Sequence, residues 1–242
     1  MPVFLTDMGY SNSEQFKKIV DRSITHVGLD DLSGITSIGS YAFAYCSSLT
    51  NITIPDSVTS VGSSAFSNCS SLTSAIIGNS VTSIGGYAFY YCSNLTSTTI
   101  PASVTSIGGY AFYRCSSLSE ITIPDSVTSI GGYTFSGCSS LSEVTIPSSV
   151  TIIGSNAFSG CSSLSEVTIP SSVTSIGSNA FSLCSSLTSI TINAITPPTL
   201  GSANAFSNTN NCPIYVPAGS VSTYQTTGNW VSLASRIQAI PS

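Results

Sequence analysis

Cys115-Ser116-Ser117-Leu118-Ser119-Glu120-Ile121-Thr122-Ile123-Pro124-Asp125-Ser126-Val127-Thr128-Ser129-Ile130-Gly131-Gly132-Tyr133-Thr134-Phe135-Ser136-Gly137 is one unit of a repeat, and Cys138 opens the next copy. Cys46, Cys69, Cys92, Cys115, Cys138, Cys161 and Cys184 are spaced by 23 residues throughout. Phe43, Phe66, Phe89, Phe112, Phe135, Phe158 and Phe181 keep the same step, as do Gly39, Gly62, Gly85, Gly108, Gly131, Gly154 and Gly177. The unit generalises as C-S-S-L-x-x-I-T-I-P-x-S-V-T-S-I-G-x-x-A-F-x-x. A fixed period of this length without insertions is the mark of a solenoid, in which each unit forms one coil.

Within the unit, Ile121 and Ile123 alternate with polar residues, the period of a strand with one buried face. Pro124 has no amide proton to give a ladder and ends that strand. Val127 and Ile130 supply a second inward pair, predicting a second short strand before Gly131 turns the chain. The Ala-Phe pair of most units, Thr134-Phe135 in this one, predicts a short turn or 3₁₀ segment with the ring pointing inward. One coil cannot bury its own apolar side. Stacked coils can, as ladders of Leu, Ile, Val, Phe and Cys. The expected fold is mainly β: a right-handed solenoid of parallel strands, about 30–40 Å long at a spacing of ~4.8 Å per coil.

Open solenoid ends expose core and unpaired edges, so covers are expected. Ser11-Asn12-Ser13-Glu14 reads as a capping box opening a short helix, with Phe16, Ile19 and Val20 on one face. The repeat degrades at Asn193-Ala194-Ile195-Thr196-Pro197-Pro198, and Ile214-Tyr215-Val216, Tyr224 and Trp230 read as a second cover. The division is therefore an N-terminal cap at 1–34, repeats at 35–193, and a degenerate last repeat with C-terminal cap at 194–242, all one structural domain.

The pattern L-x-x-I-x-I-P-x-x-V resembles the leucine-rich repeat, with Ile in place of the usual strand leucines. With its I-G-x-x-A-F-x-x-C half, the unit resembles the BspA-like class of bacterial and protist surface proteins, a repeat also found in phage-encoded proteins. The likeness runs from about residue 35 to 217. It is specific for fold and weak for function, because core-facing residues define the family.

Composition narrows the chemistry. Only 6% of residues are charged and the net charge is −5, whereas about a quarter charged is usual for a globular protein. Lys17, Lys18, Arg22, Arg114 and Arg236 form no basic stripe, which argues against nucleic acid as a partner. The N-terminal residues lack the charged and apolar regions of a signal peptide, and no run of 18 apolar residues suggests a membrane span. Equivalent cysteines in adjacent coils would have parallel Cβ vectors at about 4.8 Å, whereas a disulfide needs Cβ atoms ~3.8 Å apart and turned together. Buried free thiols are expected. No His or acidic residue repeats beside them, so neither a metal nor another cofactor is expected.

The single histidine, His26, falls in the N-terminal cap, and no base accompanies the many serines. Acid–base and nucleophilic catalysis both need such a group, so no catalytic residues are assigned. Gly-Gly pairs such as Gly85-Gly86 lack the Gly-Lys-Ser/Thr of a phosphate loop.

Exposed strand positions remain as candidate surfaces. Asn51, Ser74, Ser97, Glu120, Glu143, Glu166 and Ser189 form one column, in which the three glutamates suit a cation, a basic partner or simple solvation. Thr53, Ile76, Thr99, Thr122, Thr145, Thr168 and Thr191 form the next. Tyr87, Tyr110 and Tyr133 share a register, with Tyr90, Tyr91 and Tyr113 close by. These tyrosines would anchor a protein, stack against sugar rings, or pack a convex face. Ranks such as Ser126-Val127-Thr128 superficially resemble ice-binding surfaces, or fill exposed strand sites. Asn51-Ile-Thr, Asn68-Cys-Ser and Asn94-Leu-Thr match glycosylation sequons, as chance matches would in such a composition.

The BspA-like resemblance implies a non-enzymatic interaction or adhesion protein that presents its repeat surface to a protein or glycan on a host or cell surface. The alternative is a structural or receptor-binding component of a phage virion. The place of action is then extracellular, at the cell surface or on the virion, with no membrane insertion.

Overall fold

Alternating Ile-Thr-Ile stretches are too short to form a sheet alone, and they find partners one coil away. In the computed structural model, which describes residues 24–28, 32 and 34–241, each coil contributes two short strands to two parallel faces. The first face comprises His26–Val27, Asn51–Thr53, Ser74–Ile76, Ser97–Thr99, Glu120–Thr122, Glu143–Thr145, Glu166–Ile169, Ser189–Ile192, Ile214–Val216 and Ile237–Ala239. The second runs from Ser37–Ile38 through Ser60–Val61, Ser83–Ile84, Ser106–Ile107, Ser129–Ile130, Ile152–Ile153 and Ser175–Ile176 to Thr199–Leu200. Pairing keeps the 23-residue register, as in Asn51 with Ser74 and Glu143 with Glu120. The ladder also reaches back to His26, which pairs with Asn51. The capping box at Ser11–Glu14 and its apolar partners lie outside the described residues.

Between the coils runs a column of phenylalanine rings, Phe43 through Phe181 and then Phe206, stacked at 5.2–5.7 Å. Trp230 ends it, 5.9 Å from Phe206, and Tyr224 meets Trp230 edge-on. Both residues come from the segment after the last full coil. That segment includes the α-helix Val221–Thr226 and the 3₁₀ segment Gly228–Arg236. Their polar ends are satisfied by the degenerate repeat: the Tyr224 hydroxyl donates to the Ala194 carbonyl and the Trp230 indole N–H to that of Pro198, each at 2.8 Å.

All eight cysteines are buried as thiols, none of them bridged, as the parallel Cβ vectors predict. Six thiols donate to the carbonyl of a phenylalanine one coil earlier, as Cys115 does to Phe89 at 3.2 Å. The repeating cysteine therefore fills the core and also satisfies a buried backbone acceptor. Thr134, in the usual alanine position, is fully buried, and its hydroxyl donates to the Gly131 carbonyl at 2.9 Å.

The abundant Ser and Thr have a comparable role. Thr96 Oγ1 donates to the Thr73 carbonyl at 3.0 Å, Thr82 to Thr59 at 3.2 Å, and Ser149 to Val127 at 2.7 Å. Side-chain ladders thus tie each coil to the one before it. In the ranks around Ser126-Val127-Thr128 many hydroxyl protons are committed to backbone, which explains the ranks structurally.

Candidate recognition surface

After the second strand the chain must turn sharply and return inward to place Phe. It does so with two residues per coil in the left-handed region. The first register holds Tyr41, Ser64, Tyr87, Tyr110, Tyr133, Asn156 and Asn179, with φ between 56° and 61°. The second holds Tyr45, Asn68, Tyr91, Arg114, Gly137, Gly160, Leu183 and Asn208, all at positive φ. From Tyr41 to Asn156 and from Tyr45 to Leu183, the two registers carry the same inter-coil bonds whatever the side chain. Tyr87 N–H donates to the Gly109 carbonyl at 3.1 Å, and Asn156 N–H to Ser178 at 2.9 Å. Glycines let the corner backbones approach this closely: a Cβ on Gly108 would run into the Gly86 backbone nitrogen.

Over the coils of Phe89, Phe112 and Phe135 this corner is aromatic. Tyr87, Tyr110 and Tyr133 stack nearly parallel at 4.6 and 4.5 Å. Tyr90 and Tyr113 form a second stack at 5.1 Å. The two rows meet at tilts of 52–58° with centroids 5.4–6.3 Å apart, and Tyr91 packs edge-on against Tyr90 at 4.6 Å. Offset and edge-to-face pairs of this kind are the favourable aromatic geometries. All six sequence-predicted tyrosines therefore form one contiguous block.

Arg114 completes it, although the sequence placed it only among scattered basic residues. It occupies the register of Tyr91 one coil later, and that spacing was the available signal. Its guanidinium lies 5.4 Å from the Tyr91 ring centre and 5.8 Å from that of Tyr113, within cation–π range. Desolvation, reinforced by neighbouring phenols, raises the pKa of Tyr90 and Tyr110. An interaction with Tyr113 and the surrounding phenols holds Arg114 more firmly protonated. Tyr90 and Tyr110 are thus held neutral beside a firmly protonated Arg114.

Its mode of presentation is specific. Because the rings stack on one another, most of their faces are covered, and the rims and hydroxyls are displayed. Tyr87, beside the small Ser64, is the most open of its row at 42% exposed. This geometry disfavours sugar rings stacking on each tyrosine in turn.

The glutamates lie elsewhere. Glu120, Glu143 and Glu166 are exposed at the starts of first-face strands, and Glu120 and Glu143 are register partners. The structure does not bring them to the tyrosine block. Among the described residues no group of three or more His, Cys, Asp or Glu converges as metal ligands, and no helix is long and apolar enough to cross a membrane. His26 is an exposed strand residue.

Parallel strands stacked coil on coil over buried Leu, Ile and Phe ladders define a leucine-rich-repeat solenoid. The BspA type Leucine rich repeat region matches in six copies over residues 12–138 and 105–227, and the chain belongs to that family. No curated protein matches it. Among solved structures, the T. pallidum leucine rich repeat protein TpLRR is similar at 29% identity, over 64% of this chain and 73% of that one, with a TM-score of 0.58. A leucine-rich repeat protein from Bacteroides ovatus is 25% identical over 89% of this chain and 65% of its own, at a TM-score of 0.49. A leucine rich cell surface protein from Faecalibacterium prausnitzii is 22% identical, covering 86% and 87%, at 0.33.

Proposed function

We propose that this protein is a non-enzymatic interaction protein, and that the tyrosine–arginine corner is its recognition surface, presented outside the cell to a protein or glycan. The observation that carries this reading is the choice of residue at strained positions. Tyr87, Tyr91, Tyr110, Arg114 and Tyr133 all have positive φ, a conformation that costs an L-residue with a bulky side chain about 1–2 kcal/mol. Other coils fill these registers mostly with Asn, Gly or Ser, though also with Tyr41, Tyr45 and Leu183, and keep the same backbone bonds. Folding therefore does not require tyrosine there. Strain retained against an easily available alternative points to a role for the side chain. Tyrosine suits recognition because it offers large area, a polar tip and little rotamer entropy to lose.

The test uses the residue that neighbouring coils already carry. A Tyr87→Asn/Tyr110→Asn/Tyr133→Asn variant is screened beside the parent against arrays of glycans and extracellular-matrix proteins. Binding by the parent and loss in the folded variant is the expected result. Equal binding by both removes the corner as the recognition surface.

A further inference from the structure

We infer that the corner binds an extended, weakly anionic polysaccharide bearing carboxylates, laid along the solenoid axis. This inference rests on the corner being the recognition surface, and names its ligand. Three features carry it: period, displayed chemistry and charge.

Tyr87, Tyr110 and Tyr133 advance by 4.6 and 4.5 Å, and Tyr90 and Tyr113 by 5.1 Å. The two rows therefore offer hydrogen-bonding tips and apolar rims at a repeat of one coil. A sugar residue in an extended β-linked polysaccharide advances its chain by about the same distance as one coil. Successive sugars, which face alternately in such a chain, would meet successive coils, and equivalent sugars would recur at every second coil. An extended peptide advances about 3.3 Å per residue and shows like-facing side chains at twice that distance, so it falls out of step with the rows.

Ring-on-ring stacking leaves rims and hydroxyls outward, and a phenol both donates and accepts. This fits a ligand dense in hydroxyls with small apolar C–H patches between them, running across the rims. Partial burial among the other rings raises the pKa of Tyr90 and Tyr110, so an anionic chain meets no repulsion from these two phenols near neutral pH.

Arg114 supplies the charge selection. It is exposed, held over two rings, and influenced chiefly by phenols. Its planar fork pairs bidentately with a carboxylate. One cation across three coils, on a chain of net charge −5, suits a polymer with sparse carboxylates. A densely sulfated chain would find too few cations and be repelled by the molecule as a whole.

The probes are hyaluronan oligosaccharides of increasing length, with neutral chitin oligosaccharides, heparin and poly-L-glutamate as comparators, measured by calorimetry on the intact protein. Hyaluronan affinity is expected to rise with length and level off once the three coils are spanned. Chitin oligosaccharides of equal length should bind more weakly, and heparin and poly-L-glutamate least. Arg114→Gln should bring hyaluronan down to the chitin level and remove its salt dependence, while Tyr110→Asn should weaken it by about tenfold or more, the loss of one well-made contact. Failure of hyaluronan to bind, length-independent binding, or a preference for heparin or poly-L-glutamate would overturn the inference. If, after such a failure, the array screen still finds a partner lost in the triple Asn variant, the recognition surface stands and only the polysaccharide is wrong. A partner of any class that ignores the triple substitution removes both.

Discussion

Raising the pH attacks the fold through its cysteine ladder. Burial pushes the thiols of Cys92, Cys138 and Cys184 up to about 12. It also raises those of Cys69, Cys115 and Cys161, where neighbouring thiols add to the effect. In the unfolded chain a thiol ionises near ~8.5. Between these values the native state keeps six protons that the unfolded state has released, so the folded state is the more protonated and stability falls as pH rises. The thiol contribution is complete below the unfolded value and is lost on the way to the native one. Each group contributes about 1.4 kcal/mol per pH unit and six together about 8 kcal/mol per unit. Set against a typical stability of about 5–15 kcal/mol, unfolding is expected within about one to two units above the unfolded thiol value. Urea midpoints measured in reductant from neutral pH into that range should fall steeply, with a proton linkage near six. Cys115→Ala should reduce that linkage by about one. A flat profile, or thiolate absorbance in a protein that is still folded, would refute the reasoning.

Three further substitutions test the corner and the two faces of the coils. Gly108→Ala places a methyl against the Gly86 backbone, where relief requires the coils to part. Loss of several kcal/mol is expected from urea denaturation, as for other severe overpacking. Ile123→Asp buries a carboxylate at a site 3% exposed and should prevent folding, whereas Ile152→Asp, at 47% exposed, should change stability by about 0.5 kcal/mol or less. Circular dichroism melts of the pair check this, and equal damage from both would contradict the assignment of inner and outer faces.

The repeat made the coil legible because its period ties the core positions together: Leu118, Ile121, Ile123, Val127, Ile130 and Phe135 are all buried. The cysteines were legible as buried thiols, but their acceptor was not. Cys115 donates to Phe89, which is 26 residues back, so the bond depends on a three-residue offset inside the coil that the period does not reveal. Hydroxyl ranks were visible, while their bonding to the preceding coil required the backbone. His26 is linked to Asn51 at a spacing of 25, outside the strict repeat, and so read as lying before the solenoid.

At the corner, the six tyrosines were legible as a group and their arrangement was not. Left-handed backbone is usually signalled by Gly or Asn, and Asn156, Asn179, Gly137 and Gly160 do mark it. Tyrosine in the same registers hides it. The herringbone of rings, the covering of their faces and the placement of Arg114 over two of them follow from that backbone, which a list of residues does not contain.

On the proposed function, a partner docks at the corner of the Phe89, Phe112 and Phe135 coils. Tyrosine nitration, read by mass spectrometry with and without bound partner, tests it most directly. Tyr41 and Tyr45 occupy the same two registers in the first coil, with 59% and 54% exposure, and serve as internal controls. Docking at the corner predicts protection of Tyr87, Tyr90, Tyr91, Tyr110, Tyr113 and Tyr133 while Tyr41 and Tyr45 stay reactive. Unchanged nitration of the six tyrosines under saturating partner would contradict the account.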